Sequence, residues 1–356
     1  MPKNVVLSGY YGFGNTGDEA VLAGILATFR EIGLDARVTV LSADPARTIA
    51  EHPGVESVHR YRLAGLIRVI RSADLVISGG GSLFQDVTSA RSVCYYLFVL
   101  RLAQLLKRKT MIYAQGIGPL KAKSTRWAVA RVLDKTSLVT VRDRESKSLL
   151  ESMGVTRPDV HVTADPALVL EPDLVEADSI IAGAGLDSAE MVGVSLRPWP
   201  GAEAMLAEAA KGITAACEEL GVRAALIPMQ EPEDIRICEM VSGGLLLRGS
   251  GRPAVVKGLI SRCGLIVGMR LHALILAAGE GVGFVPLTYD PKVSSFASAA
   301  GAGHILDLAT VTSDMMREAI ISAWNERGEI ASSMTDTTAR LRESALENGR
   351  LAATLV

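Results

Sequence analysis

Long apolar runs are missing from this chain of 356 residues. The longest apolar helical pattern, residues 93–106, is broken by Arg101 and Gln104 and is too short to cross a bilayer. No basic segment leads into an apolar one at the start. A strand pattern opens at residues 5–7, so no secretory leader is expected. Cysteine is scarce: Cys94, Cys217, Cys238 and Cys263 show no Cys-x-x-Cys spacing, which argues against a zinc site or a disulfide framework and fits a reducing compartment. No other cluster has metal-ligand spacing, so no metal is expected. Internal repeats and low-complexity segments are absent too, and aromatic residues make up only 4% of the chain.

A large charge of one sign is also lacking, since the net charge is −2. That small figure hides an asymmetry. Residues 60–147 hold 17 Lys/Arg against 5 Asp/Glu, a net of +12, so the remainder carries −14. Such a stretch suggests a basic face turned toward an anionic partner, the ordinary alternative being a solvated surface of mixed charge. The stretch is read as lacking both interleaved aromatics and a recognised nucleic-acid motif, so a nucleic acid is not the expected partner.

What is present is a hydrophobic fraction of 49%, ample for two packed cores at this length. Short apolar runs alternate with helical patterns, the mark of an α/β chain with parallel sheets. In the first half the runs are residues 5–7, 37–41, 75–78, 110–114, 138–141 and 161–163. The first leads through Gly12, Gly14 and Gly17 into an amphipathic helix, which matches Gly-x-Gly-x-x-Gly. Asp44 even follows the second run, where a dinucleotide enzyme places its ribose-binding acid. Asp18 and Glu19 speak against that use, because carboxylates in the first helical turn would repel a pyrophosphate. A loop that holds a hydroxyl-rich substrate through Asn15, Asp18 and Glu19 fits better, the plain alternative being a tight turn with the helix capped by Thr16 or Asp18. Later runs end in Gly79-Gly80-Gly81-Ser82, in Gln115-Gly116, and in Arg142-Asp143-Arg144. Glycine permits close backbone approach, and amide and guanidinium groups bind polar ligands, so these ends suggest a crevice along one sheet edge.

Residues 171–189 are rich in Asp, Glu, Gly and Ala and read as a linker or irregular surface segment. In the second half the pattern resumes with strands at 192–196, ending in Arg197-Pro198, and at 224–227. The stretch 265–292 concentrates the chemistry. Residues 265–267 read as a buried strand, 271–278 as a helix apolar nearly all round, and 284–287 as the next strand. Arg270 and His272 sit where the helix begins, an end that offers N–H groups to an anion, and Lys292 lies just past the next strand. One histidine beside an apolar helix is usually a core residue, and one loop lysine is usually solvated. Their joint placement at one edge points to an anionic ligand.

Taken together, Gly12 to Glu19, Gly79 to Asp86, Tyr113 to Pro119, Val141 to Ser146, Asp165-Pro166, Ser195 to Pro198, Gly268 to His272 and Tyr289 to Lys292 resemble the polysaccharide pyruvyl transferases, in particular those of CsaB type. The resemblance implies two Rossmann-like parallel-sheet domains with a central cleft, similar to GT-B glycosyltransferases. On this reading residues 1–170 form the first domain and residues 190–311 the second, while helices in residues 312–356 are able to pack back on the first. It implies phosphoenolpyruvate as co-substrate, no bound cofactor, and a sugar acceptor, often N-acetylmannosamine in a lipid-linked cell-wall precursor, converted to a pyruvate ketal.

By motif the family's functional Arg, His and Lys fall on Arg142, His272 and Lys292, with Arg144 a rival for the first. Arg270, Arg144 and Arg197 are the candidate donor-binding groups. Gly14, Asn15, Asp18, Glu19, Gly81, Ser82 and Gln115 are the candidate acceptor-binding ones. A lipid-linked acceptor implies a cytoplasmic protein working at the inner face of the plasma membrane. Arg62, Arg68, Arg71, Lys107, Arg108 and Lys109 are the candidate contacts to anionic headgroups. Self-association is left open. A nucleotide-sugar glycosyltransferase of the same fold and a non-catalytic binding protein with the same cleft are the alternatives.

Overall fold

Apolar runs bounded by glycine, proline and capping residues become parallel strands covered on both faces by helices. The computed structural model describes residues 2–86, 90–186, 191–249 and 251–356. The chain divides into two units. The first comprises Met1–Phe13, Val21–Val169 and Leu341–Val356; the second comprises Gly14–Ala20 and Leu170–Arg340.

The first unit is built on β1 (Lys3–Tyr11), α1 (Thr16–Glu31, its first turn counted with the second unit), β2 (Ala36–Ser42), α2 (Pro45–Glu51), β3 (Glu56–His59), α3 (Leu63–Ser72), β4 (Leu75–Gly79), α4 (Ala90–Leu105), β5 (Lys109–Gln115), α5 (Lys123–Leu133), β6 (Leu138–Val141), α6 (Arg144–Ser152) and β7 (Val160–Val162). Its sheet has the order β3-β2-β1-β4-β5-β6-β7, and every pair is parallel. Val5 lies opposite Val38 on one side and Leu75 on the other. Side chains alternate between faces along each strand. Val5, Leu7, Leu75 and Ile77 pack with Leu22 and Ile25 of α1, while Val6 and Val76 pack with Leu66 and Ile70 of α3 and Val99 of α4. Each such buried aliphatic side chain contributes roughly 1.5–3 kcal/mol relative to exposure. Val93, Leu97 and Leu100 of α4 meet Val129 and Leu133 of α5 over β5 and β6, where Leu150 of α6 joins them, so α3, α4 and α5 lie side by side in a layer that α6 continues.

The second unit holds α7 (Leu174–Gly183), β8 (Met191–Ser195), α8 (Glu203–Leu220), β9 (Arg223–Leu226), α9 (Ile235–Cys238), β10 (Leu245–Leu246), α10 (Pro253–Ser261), β11 (Leu265–Gly268), α11 (Leu271–Gly279), β12 (Phe284–Thr288), α12 (Pro291–Ala299), β13 (Leu306–Asp307) and α13 (Ser313–Asn325). The long α14 (Arg327–Ala353) begins here and ends in the first unit. The sheet order is β10-β9-β8-β11-β12-β13, again all parallel.

Two expectations need correction. The stretch 171–189 is not irregular: Asp173 accepts a hydrogen bond from Glu176 N and starts α7, whose Ala177 and Ile181 are buried. A Cβ on Gly258 of α10 would lie 2.5 Å from Asp173 O and 2.8 Å from Ala177 Cβ, so the two helices meet through a glycine. Residues 187–190, the end of that stretch and the start of the expected second domain, lie outside the described residues. Second, β3, β10 and β13 escaped the sequence reading. All three are short edge strands, and an edge strand needs no continuous apolar run.

The end of the chain is tied into the first unit by a buried amide. Asn348 Oδ1 accepts from Thr140 Oγ1 at 2.5 Å and from Thr163 Oγ1 at 2.7 Å, and its Nδ2 donates to Ala164 O at 3.1 Å and Ala345 O at 2.9 Å. All four hydrogen-bonding positions of the amide are filled. Asn348→Leu leaves Thr140 Oγ1 and Thr163 Oγ1 donating only over long contacts of 3.4 Å, to Ile112 O and Val141 O, and takes the amide donor from Ala164 O, and it should cost about 2–4 kcal/mol. Urea unfolding followed by circular dichroism measures this. A variant within ~0.5 kcal/mol of the parent would show that the tail is held by apolar contacts alone.

Candidate functional site

Ligands of open parallel sheets bind beyond the carboxyl ends of the strands, where the strand order reverses. That point falls between β1 and β4 in the first unit, and between β8 and β11 in the second. Most of the sequence-chosen residues leave strands at or beside these two points.

In the first unit the first glycine after β4 serves packing and the second a turn. Gly80 has φ +49°, and a Cβ there would fall 1.8 Å from Val21 Cγ1 of α1. Gly81 has φ +75° and turns the chain so that Ser82 meets Arg142. Arg142 leaves the end of β6 with its side chain 7% exposed. Nη1 donates to Asp165 Oδ2 at 2.8 Å and Nη2 to Ser82 Oγ at 2.9 Å. A Cβ on Gly116 would lie 3.1 Å from both Nε and Nη2, so the bare backbone makes room for the fork. Arg144 takes another course. It is exposed at the start of α6 and, with Lys147 and His161, lines a shallow pocket of about 510 Å³. Of the two arginines, only Arg142 is joined to Ser82. Gln115 is fully buried, and its Nε2 donates to Ser78 O and Ser78 Oγ at 3.0 and 2.9 Å. It clamps β5 to β4 instead of facing an open crevice.

The second unit gathers the remaining groups. The loop Gly14–Ala20 belongs to it, and polar atoms of the loop are bound there. Thr16 N donates to Met229 O at 2.9 Å, Thr16 Oγ1 accepts from Gly251 N at 2.8 Å, and Asn15 Nδ2 donates to Gln230 Oε1 at 3.0 Å. The cap of α1 is Asn15, not Thr16 or Asp18: its Oδ1 accepts from Gly17 N at 3.0 Å and Asp18 N at 3.3 Å. Glu19 is buried, whereas Asp18 stays partly exposed. Gly17 lies against His272, and a Cβ built on it would sit 2.2 Å from Nδ1 of the imidazole.

His272 itself is the second residue of α11 and partly exposed. Arg270, just before that helix, is committed to Asp234. Nε donates to Oδ2 at 2.9 Å and Nη2 to Oδ1 at 2.5 Å, while Met229 N and Gln230 N donate to Oδ2 at 3.1 and 3.0 Å. Arg197, past the end of β8, donates through Nη1 to Tyr289 Oη at 3.3 Å and lies 5.8 Å from the centre of the Trp199 ring. Lys292, in the first turn of α12, keeps Nζ 3.5 Å from Asp290 Oδ2. Gly268 of β11 is in register with Ser195 of β8 and Pro286 of β12. Arg197, His272 and Lys292 therefore follow three adjacent strands. Asp44, the candidate ribose acid, caps α2 through Arg47 N at 3.1 Å, so the dinucleotide reading loses its acid.

Sequence reasoning missed Asp165, Gln230 and Asp234 as members of these sites. Asp165 and the 228–234 segment each follow a strand end, and that was the available signal. Among the described residues no helix is long and apolar enough to cross a membrane.

Comparison with protein families finds that the polysaccharide pyruvyl transferase family matches residues 15–291. The chain belongs to this family, and it is a transferase of polysaccharide pyruvylation. A search of curated proteins found no match. Among solved structures it is similar to Anabaena HepE in complex with UDP and glucose, with 13% identity, a TM-score of 0.66, and coverage of 99% of this chain and 98% of that one. It is also similar to UDP-GlcNAc 2-epimerase from Methanocaldococcus jannaschii, at 12% identity, TM-score 0.67 and 99% coverage of both chains. A third is UDP-GlcNAc 2-epimerase from Neisseria meningitidis bound to UDP-GlcNAc, at 12% identity, TM-score 0.63 and 99% coverage of both. At these identities the likeness shows the GT-B-like fold of two parallel-sheet units.

The Gly17–His272 contact has a direct consequence. Gly17→Ala leaves backbone and caps in place but pushes the imidazole from its seat. The expected variant keeps its melting temperature within a few degrees, shows displaced His272 ring resonances by NMR, and loses at least about tenfold in turnover, a misplacement effect. Unmoved resonances in a folded variant would show that the ring is not seated on Gly17.

Proposed function

We propose that this family member moves the pyruvyl group of phosphoenolpyruvate onto two hydroxyls of a sugar in a lipid-linked polysaccharide precursor, N-acetylmannosamine being the candidate, and releases phosphate. What carries the reading is the seat of His272. It heads α11 beside Gly17 and the loop bearing Asp18, and the neighbouring strand ends carry Arg197 and Lys292. A histidine suited to proton movement and two cations suited to a trianionic donor thus follow adjacent strands of one sheet.

The chemistry balances without an oxidant or a metal. The donor's methylene carbon takes a proton and becomes the methyl group. One sugar hydroxyl adds to the central carbon, the bond to the phosphate oxygen breaks, and the second hydroxyl closes the ketal. Of the two hydroxyl protons, one is matched by the new C–H bond and the other leaves with phosphate. His272 delivers the proton to carbon. Lys292 holds a donor oxygen as a point charge; the family resemblance, and no geometry between the units, assigns the planar fork of Arg142 to the donor's carboxylate or phosphate. A guanidinium has five N–H donors, so Arg142 can do this without releasing Asp165 or Ser82. Asp18 orients and deprotonates an acceptor hydroxyl. Arg270 serves by position: locked on Asp234, it fixes the turn from which His272 projects.

Three variants separate these roles. His272→Gln should abolish phosphate release while leaving calorimetric phosphoenolpyruvate affinity within about threefold of the parent, because it removes a proton carrier and keeps a polar group. Lys292→Ala and Arg142→Lys should each weaken that affinity by about ten- to a hundredfold, the loss of one charge-assisted contact of ~1.5–3 kcal/mol. Arg142→Lys keeps a positive charge beside Asp165, so folding is preserved while the fork is lost. NMR of the product identifies the ketal. Tight binding of UDP-glucose with no binding of phosphoenolpyruvate would replace this reading with a nucleotide-sugar transferase.

A further inference from the structure

The layer α3–α4–α5 has an unusual composition. None of its three helices contains an Asp or a Glu. Its outward positions instead carry Arg68 and Arg71 on α3, Arg91 and Arg101 on α4, and Lys123 and Arg131 on α5. Among these cations stand large apolar side chains open to solvent: Tyr61 at 65%, Leu63 at 55%, Phe98 at 46%, Leu105 at 63% and Trp127 at 65% exposure. Single exposed apolar residues are ordinary on any protein. Five on or just before three helices that hold no carboxylate, three of them aromatic, are not. Aromatic residues do therefore interleave the basic stretch, contrary to the sequence reading.

The layer is built to hold this arrangement. Arg60 is 3% exposed, and its guanidinium lies 4.1 Å from the Tyr95 ring centre and 5.3 Å from that of Tyr61, while Nη1 donates to Gly9 O at 2.9 Å. Tyr61 and Tyr95 meet edge to face at 5.6 Å, which fixes the approach to α3 against α4. Arg131 lies 5.5 Å from the centre of Trp127 and braces that ring on the surface. Among the basic residues first suggested as headgroup contacts, Arg62, Arg68, Arg71, Lys107 and Lys109 are exposed. Arg108 is turned inward, donating to Ala73 O at 3.4 Å.

We infer that the outer face of α3, α4 and α5 docks on an anionic lipid bilayer. A surface that mixes Lys/Arg with Trp, Tyr, Phe and Leu lies in the interfacial zone, its rings among the acyl chains and its cations at the headgroups. An acidic protein would match the charge but gives no reason for the exposed rings. In a parallel sheet each crossover helix starts at the carboxyl edge of the strands. Tyr61, Leu63, Lys123 and Trp127 thus lie at the same edge as Ser82 and Arg142. Docking brings that edge to the membrane surface, where a lipid-linked sugar would be. The purpose of the docking rests on the proposed acceptor; its physical basis is the face itself.

The test uses the whole protein with vesicles of phosphatidylcholine alone and of equal parts phosphatidylcholine and phosphatidylglycerol. The protein should sediment with the anionic vesicles only, and less so as salt rises. Its tryptophan emission should shift to the blue on binding, and Trp127→Phe should remove that shift. Leu63→Ala/Phe98→Ala and Arg62→Gln/Arg91→Gln/Lys123→Gln should each weaken binding by at least about tenfold. Both should stay folded by circular dichroism and keep wild-type turnover on a soluble, lipid-free sugar. Absence of binding at low salt, equal binding by the variants, or binding without the Trp127 shift would each overturn the inference. So would a preference for single-stranded nucleic acid over vesicles in competition. Docking with these signatures by a protein that releases no phosphate from phosphoenolpyruvate would leave the surface standing and remove the transfer reading.

Discussion

The second unit depends on one buried carboxylate. Asp234 is 0% exposed and takes four hydrogen bonds, two from the backbone at Met229 and Gln230 and two from the Arg270 fork. A carboxylate without water needs that many partners, and removing one member of such a pair typically costs 3–5 kcal/mol. The consequences spread outward. Asp234 holds Met229 and Gln230 where they receive Thr16 and Asn15, and it holds Arg270 where α11 begins. The loop that seats His272 and the helix that carries it are thus set by one anion. Arg270 resembles a ligand-binding group in sequence, yet its charge is spent on this pair.

The first unit uses the same device. Asp165 lies 3% exposed against Arg142, and Ser82 accepts from the other arm of the fork. The difference lies in geometry. Arg270 gives Nε and Nη2, one whole edge, to a single carboxylate, whereas Arg142 divides Nη1 and Nη2 between two residues from different strand ends. An arginine held this way is already oriented, so a ligand that used its remaining N–H groups would cost it little rotamer entropy. Gly116 matters for the same reason: any side chain there would press on the fork.

Much of this was legible in the sequence because parallel strands buried on both faces are continuous apolar runs. Residues 75–78, 110–114, 138–141 and 265–267 needed no other cue, and the polar residues after them marked the sheet edges. What stayed hidden depended on partners distant in sequence. Gln115 reads as a ligand group until its amide is seen on Ser78. Asn15 reads as a substrate contact until its two ends are found on the helix start and on Gln230. Gly17 fits a phosphate-binding motif, but the reason for glycine there is the ring of His272, 255 residues further on. The segment 171–189 misled because its composition is that of a loop, while the fact that decides it, a glycine contact between Gly258 and Asp173, belongs to another helix.

Charge distribution follows from the same division of labour. A chain with a net charge of −2 has no general attraction to an anionic surface, so any such attraction has to be local. Keeping carboxylates out of α3, α4 and α5 makes that layer locally basic without making the whole protein basic. The layer remains stable because its inward positions, such as Leu66, Val99 and Val129, supply the packing and leave the outward ones unconstrained by the core. Folding thus fixes one face of each helix and leaves the other open to selection for partners. In this chain the free face is the one on which cations and aromatic rings have accumulated together.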